Sequence, residues 1–369
     1  MTRKAISLSL GMLSALWFGL NAPQALAQKP TAHSNRPTTQ KFSPSKEELN
    51  DDLLTAIANR APAKVRALLK KGADPNIVFE GSTVLILAAA SGPKRLSGLR
   101  LTAEPADADM VLALLEAGAN PNAATKLGRT ALANSITDRS GVICELLLDH
   151  QASVDLADRH GVTPLMLAAV EGSEHVMDIL LAHKANPNAR TEDGQNALSV
   201  QIINRSEENP EDVQFTGYIG PFRDSAFLKL LDHGADINVK LDSGDTLLMV
   251  AISRSNMNYV PLLLEKGADI NAQSKDGVTP LLYAAHKGHP QIVRYLLDHG
   301  ADPKCVGPDG IAALYLGVEQ GNFAIVEMLI KKGVALSAKK TDGETALMLA
   351  RKKKLTGLVN LLIAAGAKE

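Results

Sequence analysis

A Gly-Ala-Asp/Asn phrase returns along this chain at a fixed step, and that step restricts the fold more than any other feature. It occurs at Gly72, Gly118, Gly234, Gly267, Gly300, Gly333 and Gly366, with Gln151 and Lys184 holding the same slot in Gln151-Ala152-Ser153 and Lys184-Ala185-Asn186. The step is 33 residues, except between Gly72 and Gly118 (46) and between Lys184 and Gly234 (50). Self-similarity at one period over most of a chain specifies a stack of supersecondary units, each burying its apolar face only against its neighbours. Such stacks present surfaces and rarely enclose a catalytic pocket.

Within one period each residue type has a mechanical role. In the most regular unit Asp276-Gly277 forms a tight turn. Thr279 is placed to cap a helix that starts at Pro280, where a missing N–H costs nothing. Leu281, Ala284 and Ala285 share one helical face, and Gly288 ends the helix. Ile292, Val293, Leu296 and Leu297 line a second helix that ends at Gly300. This pattern resembles the ankyrin repeat, whose signature is D-G-x-T-P-L-H-x-A-A, then G-H, then I-V-x-L-L-L and G-A-D/N. The resemblance runs over about residues 48 to 367 and implies an all-α repeat solenoid of about nine helix-turn-helix units with short β-hairpin fingers. Thr83, Thr130, Thr163, Thr246, Thr279 and Thr345 hold the capping position, and Asn196 and Ala312 replace it. The family's His after T-P-L is Ile86, Ala133, Met166, Ser199, Met249, Leu282, Tyr315 or Met348 here, which predicts that apolar packing largely replaces a polar network between repeats.

Three segments precede or interrupt the repeats. Residues 1–27 read as a secretory signal peptide: Arg3 and Lys4, an apolar run from Ala5 to Leu20, and Ala25-Leu26-Ala27 as the cleavage site. The run falls short of the roughly 20 apolar residues that span a bilayer. Export to the periplasm or the medium is therefore expected, without stable membrane insertion. Residues 28–44, rich in Pro, Thr, Ser and Gln, read as a disordered leader, and 45–369 as the repeat domain. The two long steps place inserts near 91–107 and 205–224, between the first and second helices of repeats two and five. The later insert holds Phe215, Tyr218 and Phe222, a concentration in a chain only 4% aromatic. They could anchor a partner or staple the loop to its own helices.

A search for chemistry finds no support for an enzyme. Paired metal-ligand motifs, phosphate loops and a nucleophile elbow are absent. His150, His233, His299 and His183 recur one per layer, so they do not converge as zinc ligands must; a helix C-terminal role is expected. Cys144 and Cys305 lie five layers apart, too far for a disulfide, and read as small buried residues. No cofactor is expected. A net charge of −1 gives no general pull toward nucleic acid. Arg351-Lys352-Lys353-Lys354 reads as a solvated terminal cap, with lipid head groups or acidic partners as the other possibility.

The resemblance implies a protein partner, bound on a concave face of finger tips and first helices, with the chain itself expected to be a monomer. Fingers offer Lys126, Arg159, His160, Glu192, Asp193, Asp242, Lys275 and Asp276; first helices offer Glu171, Arg254, His286 and Lys287. The expected role is scaffold or stabiliser of another exported protein. An inhibitor or immunity protein that caps a toxic enzyme, or a secreted effector acting on a host, stand as alternatives.

Overall fold

The computed structural model describes residues 44–90, 105–136, 141–204, 224–256 and 258–368. The segment expected to be a signal peptide, nearly all of the expected leader, most of both expected inserts, and Phe215, Tyr218 and Phe222 lie outside the described residues. The rest forms eighteen α-helices taken two by two, which is the expected all-α repeat solenoid. The chain divides between Glu192 and Asp193 into two compact units. The first carries α1 (Lys46–Ala58), α2 (Pro62–Lys70), α3 (Val84–Ala89), α4 (Pro105–Glu116), α5 (Ala131–Ser135), α6 (Val142–Asp149), α7 (Pro164–Glu171) and α8 (Glu174–Ala182). The second carries α9 (Ala197–Asn204), α10 (Ser225–Asp232), α11 (Leu247–Ser253), α12 (Tyr259–Glu265), α13 (Pro280–Lys287), α14 (Pro290–Asp298), α15 (Ala313–Glu319), α16 (Phe323–Lys331), α17 (Ala346–Lys352) and α18 (Thr356–Ala364).

The caps are where the sequence puts them. All six threonines accept a bond from the backbone N–H three residues on, at 3.1 to 3.5 Å. Asn196 compensates for its missing Thr by a reciprocal pair with Ser199: the Ser199 N–H donates to Asn196 Oδ1 (3.0 Å), and the Asn196 N–H donates to Ser199 Oγ (2.8 Å). The first helix starts on a capping box that the acidic run concealed. Glu48 N–H donates to Ser45 Oγ (3.1 Å), and Ser45 N–H to Glu48 Oε2 (2.9 Å).

Within each unit the core is a row of alanine pairs against aliphatic second helices. Ala168 and Ala169, or Ala284 and Ala285, are fully buried beside Leu165 and Leu281. Side chains this small bring neighbouring first helices close, and Val176, Leu180, Ile292 and Leu296 fill the space behind them. Between layers, asparagines two residues after the Asp of the repeated phrase bridge successive loops. Asn271 donates to Gly300 O (3.2 Å) and accepts from Asp302 N–H (2.9 Å); Asn238 does the same with Gly267 and Asp269. Each such bond contributes about 1 kcal/mol.

The fingers are more rudimentary than the family pattern implies. One is a true two-stranded hairpin, β1 (Val78–Phe79) and β2 (Ser82–Thr83), with Val78 opposite Thr83. Four others close on single bridges, Ala124 to Thr130, Lys240 to Thr246, Val306 to Ala312 and Lys339 to Thr345.

Candidate protein-binding surface

The finger tips are chained to one another by their backbones. In the first unit Arg159 N–H donates to Leu127 O (3.1 Å) and Glu192 N–H to His160 O (3.0 Å). In the second, Asp242 N–H donates to Asp193 O (3.1 Å), Lys275 N–H to Ser243 O (3.1 Å) and Thr341 N–H to Asp309 O (2.8 Å). The approach is so close that a Cβ on Gly128 would sit 2.8 Å from Arg159 N, and one on Gly161 would sit 2.9 Å from Arg190 O. Glycine is therefore required there twice over, since both also hold positive φ (80° and 78°).

This ladder fixes where the predicted contact residues point. Lys126, Arg159 and Glu192 are exposed and in register along the first unit's tips, with His160 half-buried among them. Arg159 Nε donates to His160 Nε2 (3.1 Å), which leaves the proton on His160 Nδ1, 3.4 Å from Glu192 Oε2. Guanidinium, imidazole and carboxylate thus form one chain across two fingers. Glu171 is half-buried at the end of α7. In the second unit Asp193, Asp242, Lys275 and Asp276 are exposed on the tips, His286 and Lys287 are exposed at the end of α13, and Arg254 is half-buried after α11. His286 Nδ1 lies 4.0 Å from Glu319 Oε2.

Behind the second unit's tips lies a polar layer that the sequence did not disclose. Tyr283 donates to Asp245 Oδ1 (2.9 Å), and Ser243 Oγ donates to the other carboxylate oxygen (2.8 Å). Tyr315 donates to Glu344 Oε2 (2.6 Å), which also receives the repeat's own Lys352 at Oε1 (3.2 Å), while Lys340 Nζ lies 5.2 Å from the centre of the Tyr315 ring. Burial and the neighbouring carboxylate push both phenols up, Tyr315 to about 12, so each remains a donor. Glu344 is held below the usual carboxylate range, first by the Tyr315 hydroxyl. The expectation that apolar packing largely replaces a polar network between repeats therefore needs correcting at Tyr315, whose hydrogen bond runs from one repeat to the next; Ser199 bonds only within its own repeat's cap. The signal was Tyr315 itself, since a buried phenol needs a partner.

The histidine slot behaves as a helix end. His150, His233 and His299 each donate from Nδ1 to the carbonyl four residues back, at 2.8 to 2.9 Å. Among the described residues no three His, Cys, Asp or Glu gather as metal ligands would. Cys144 is buried as expected; Cys305 is only half-buried, 3.2 Å from Thr279 Oγ1, and burial pushes its thiol up. Among the described residues no helix is long and apolar enough to cross a membrane.

Comparison with known proteins agrees with this geometry. A three-copy ankyrin repeat model matches residues 99–191 and 222–306, and a many-copy ankyrin repeat model matches 283–330; together they cover more than half of the chain. A search of curated proteins returns no match. The helix pairs, the capping threonines, the stacked finger tips and the matched repeats place the chain in the ankyrin repeat family, whose repeats generally mediate protein–protein interaction.

Proposed function

We propose that the chain is a non-enzymatic scaffold or stabiliser of another exported protein, which it binds on the finger-and-first-helix face. The observation that carries this is the backbone ladder between finger tips. It holds exposed charged side chains in fixed register before any partner arrives, so little ordering entropy opposes binding. The mixed charge of these tips suits a specific protein partner; nucleic acid would call for a basic stripe. The basic n-region, apolar run and A-x-A site support export and cleavage after Ala27, with the chain working as a monomer in the periplasm or outside the cell.

Affinity capture followed by mass spectrometry tests this reading, with the wild-type chain set beside Arg159→Ala, His160→Ala and a deletion of residues 207–221. A partner retained by the deletion but released by the finger change supports the face proposed. Loss with the deletion alone would move the binding site to Phe215, Tyr218 and Phe222. Mature protein whose N-terminal sequence still begins at Met1 would refute export with cleavage.

A further inference from the structure

One finger of the first unit carries a side chain that its turn does not call for. The position just before the turn glycine is polar in the other fingers: Glu80, His160, Asp193, Ser243, and an aspartate in each of the last three. In finger 125–130 it is Leu127, 45% exposed. The turn closes without it. Thr125 Oγ1 accepts from the N–H groups of Leu127 (3.3 Å) and Arg129 (3.1 Å), as Asp158 Oδ1 accepts from His160 (2.9 Å) and Val162 (3.0 Å) one finger later. The Leu127 carbonyl accepts from Arg159 N–H (3.1 Å), and a Cβ on Gly128 would meet Arg159 N at 2.8 Å. The Leu127 backbone is thus fixed before any partner arrives. Val78, on the preceding finger, is 65% exposed. The bases of these two fingers are joined through Asn76, which donates to Gly118 O (3.1 Å) and accepts from Asn120 N–H (2.7 Å). Positive residues flank Leu127 in sequence and across the ladder: Lys126 and Arg159 are exposed, and Arg129 is half-buried. Among the described residues the side chains of Lys126 and Arg129 make no ion pair or hydrogen bond, and Arg159 uses only Nε, on His160. The carboxylates beside them are engaged, Asp158 by the backbone of its own turn and Glu192 by His160.

We propose that these tips receive an acidic segment of the partner protein. A large apolar residue of that segment covers Leu127 and Val78, and its carboxylates meet Lys126, Arg129 and Arg159. This rests on the finger-face reading and narrows it to the first unit and to one chemistry. Charge complementarity selects the occupant, since a guanidinium takes a carboxylate through two parallel bonds. The apolar pair selects it further. An exposed leucine ringed by cations has the form of an interface anchor with a polar rim. A polyanion such as nucleic acid or a sulfated polysaccharide would neutralise the cations but leave Leu127 and Val78 in water. In finger 241–246 of the second unit the places of Lys126, Leu127 and Arg129 are held by Asp242, Ser243 and Asp245. An acidic segment would be repelled there, so the preference belongs to the first unit's tips.

The test is fluorescence anisotropy on the full chain at low ionic strength, with labelled peptides. One sets leucines among glutamates; a second has serine for each leucine; a third has lysine for each glutamate. The first should bind, and each of the others should bind at least about tenfold more weakly. The variants give this finger what other fingers carry at the same positions, so the turn is kept: Leu127→Ser (as Ser243), Lys126→Glu (as Glu192) and Arg129→Gln (as Gln195). Leu127→Ser alone, and Lys126→Glu with Arg129→Gln, should each weaken the first peptide at least about tenfold. Asp276→Ala in the second unit should leave it unchanged. The inference is overturned by failure of the first peptide to bind, or by equal binding of the peptides. It is equally overturned if heparin binds more tightly than the first peptide, or if sedimentation shows self-association that Leu127→Ser abolishes. A captured partner that leaves Arg159→Ala, His160→Ala but stays with Leu127→Ser would overturn this inference while the finger-face reading stands. A partner that stays with both would remove that reading as well.

Discussion

Gln151 and Lys184 occupy slots where the other repeats have glycine, and they adopt the same left-handed backbone, with φ of 68° and 64°. A side chain there costs about 1 kcal/mol, because Cβ crowds the following carbonyl. At Gly72, Gly118 and Gly300 an added Cβ would meet nothing within 4 Å, so backbone strain is the whole cost at such a slot. Gln151→Gly should therefore raise stability, by up to about 1 kcal/mol; a denaturant midpoint that falls would contradict it. His289 carries a second residue-scale expectation. Its Nε2 lies 3.0 Å from Ser255 Oγ, and burial, helped by the Lys287 charge, pushes its pKa below the ordinary 6.5. The folded state thus favours neutral imidazole, while the unfolded chain takes up its proton near pH 6.5. The stability this contributes is complete above pH 6.5 and is lost as pH falls below it toward the folded-state value. Unfolding midpoints from pH 8 to pH 5 should fall on acidification, and His289→Gln should flatten that fall. Parallel curves for the two proteins would show that His289 is not responsible.

At the scale of elements, the helices and their caps were legible because they rest on local rules: Thr three residues before a satisfied N–H, Gly at a left-handed end, apolar residues at helical spacing. The finger ladder was not, because its bonds run between repeats and are made by backbone, which leaves no side-chain signature except glycine at the turn. Asp276-Gly277 reads as a tight turn; at the equivalent Gly128, Gly161 and Gly244 a second duty, close approach of the next finger, appears only when repeats stack. The Tyr283–Asp245 and Tyr315–Glu344 bonds escaped for a similar reason, since they join residues 38 and 29 positions apart. The candidate site was thus readable as a set of positions, but the register that aligns its charges was not. Gly161→Ala tests the ladder. It combines positive φ with a Cβ 2.9 Å from the Arg190 carbonyl and from Thr191 Cα. Overpacking of this kind costs about 1–3 kcal/mol. The Glu192 amide, which donates to His160, should lose hydrogen-exchange protection at the same time. A variant as stable as wild type with that amide still protected would mean that the fingers do not depend on their close approach.

Across the whole molecule, stability in a repeat stack is close to a sum of nearest-neighbour terms, so a local defect should stay local. Leu281 is 1% exposed on α13, with α11 packed to one side of that helix and α15 to the other. Leu281→Ala removes buried methyl groups from both interfaces and should cost roughly 2–5 kcal/mol. Lys287→Ala, exposed at the end of the same helix, should change stability by no more than about 0.5 kcal/mol. The two substitutions lie in the second unit, and the first unit has its own buried residues around Leu165, Ile143 and Leu180. Hydrogen exchange on Leu281→Ala should therefore show amides of α11 to α16 opening at lower denaturant while those of α6 to α8 keep wild-type protection. Loss of protection in step across all these helices would mean that the chain folds as one cooperative body despite its repeat construction. Equal losses from the Leu281 and Lys287 changes would instead show that the assigned register of α13 is wrong.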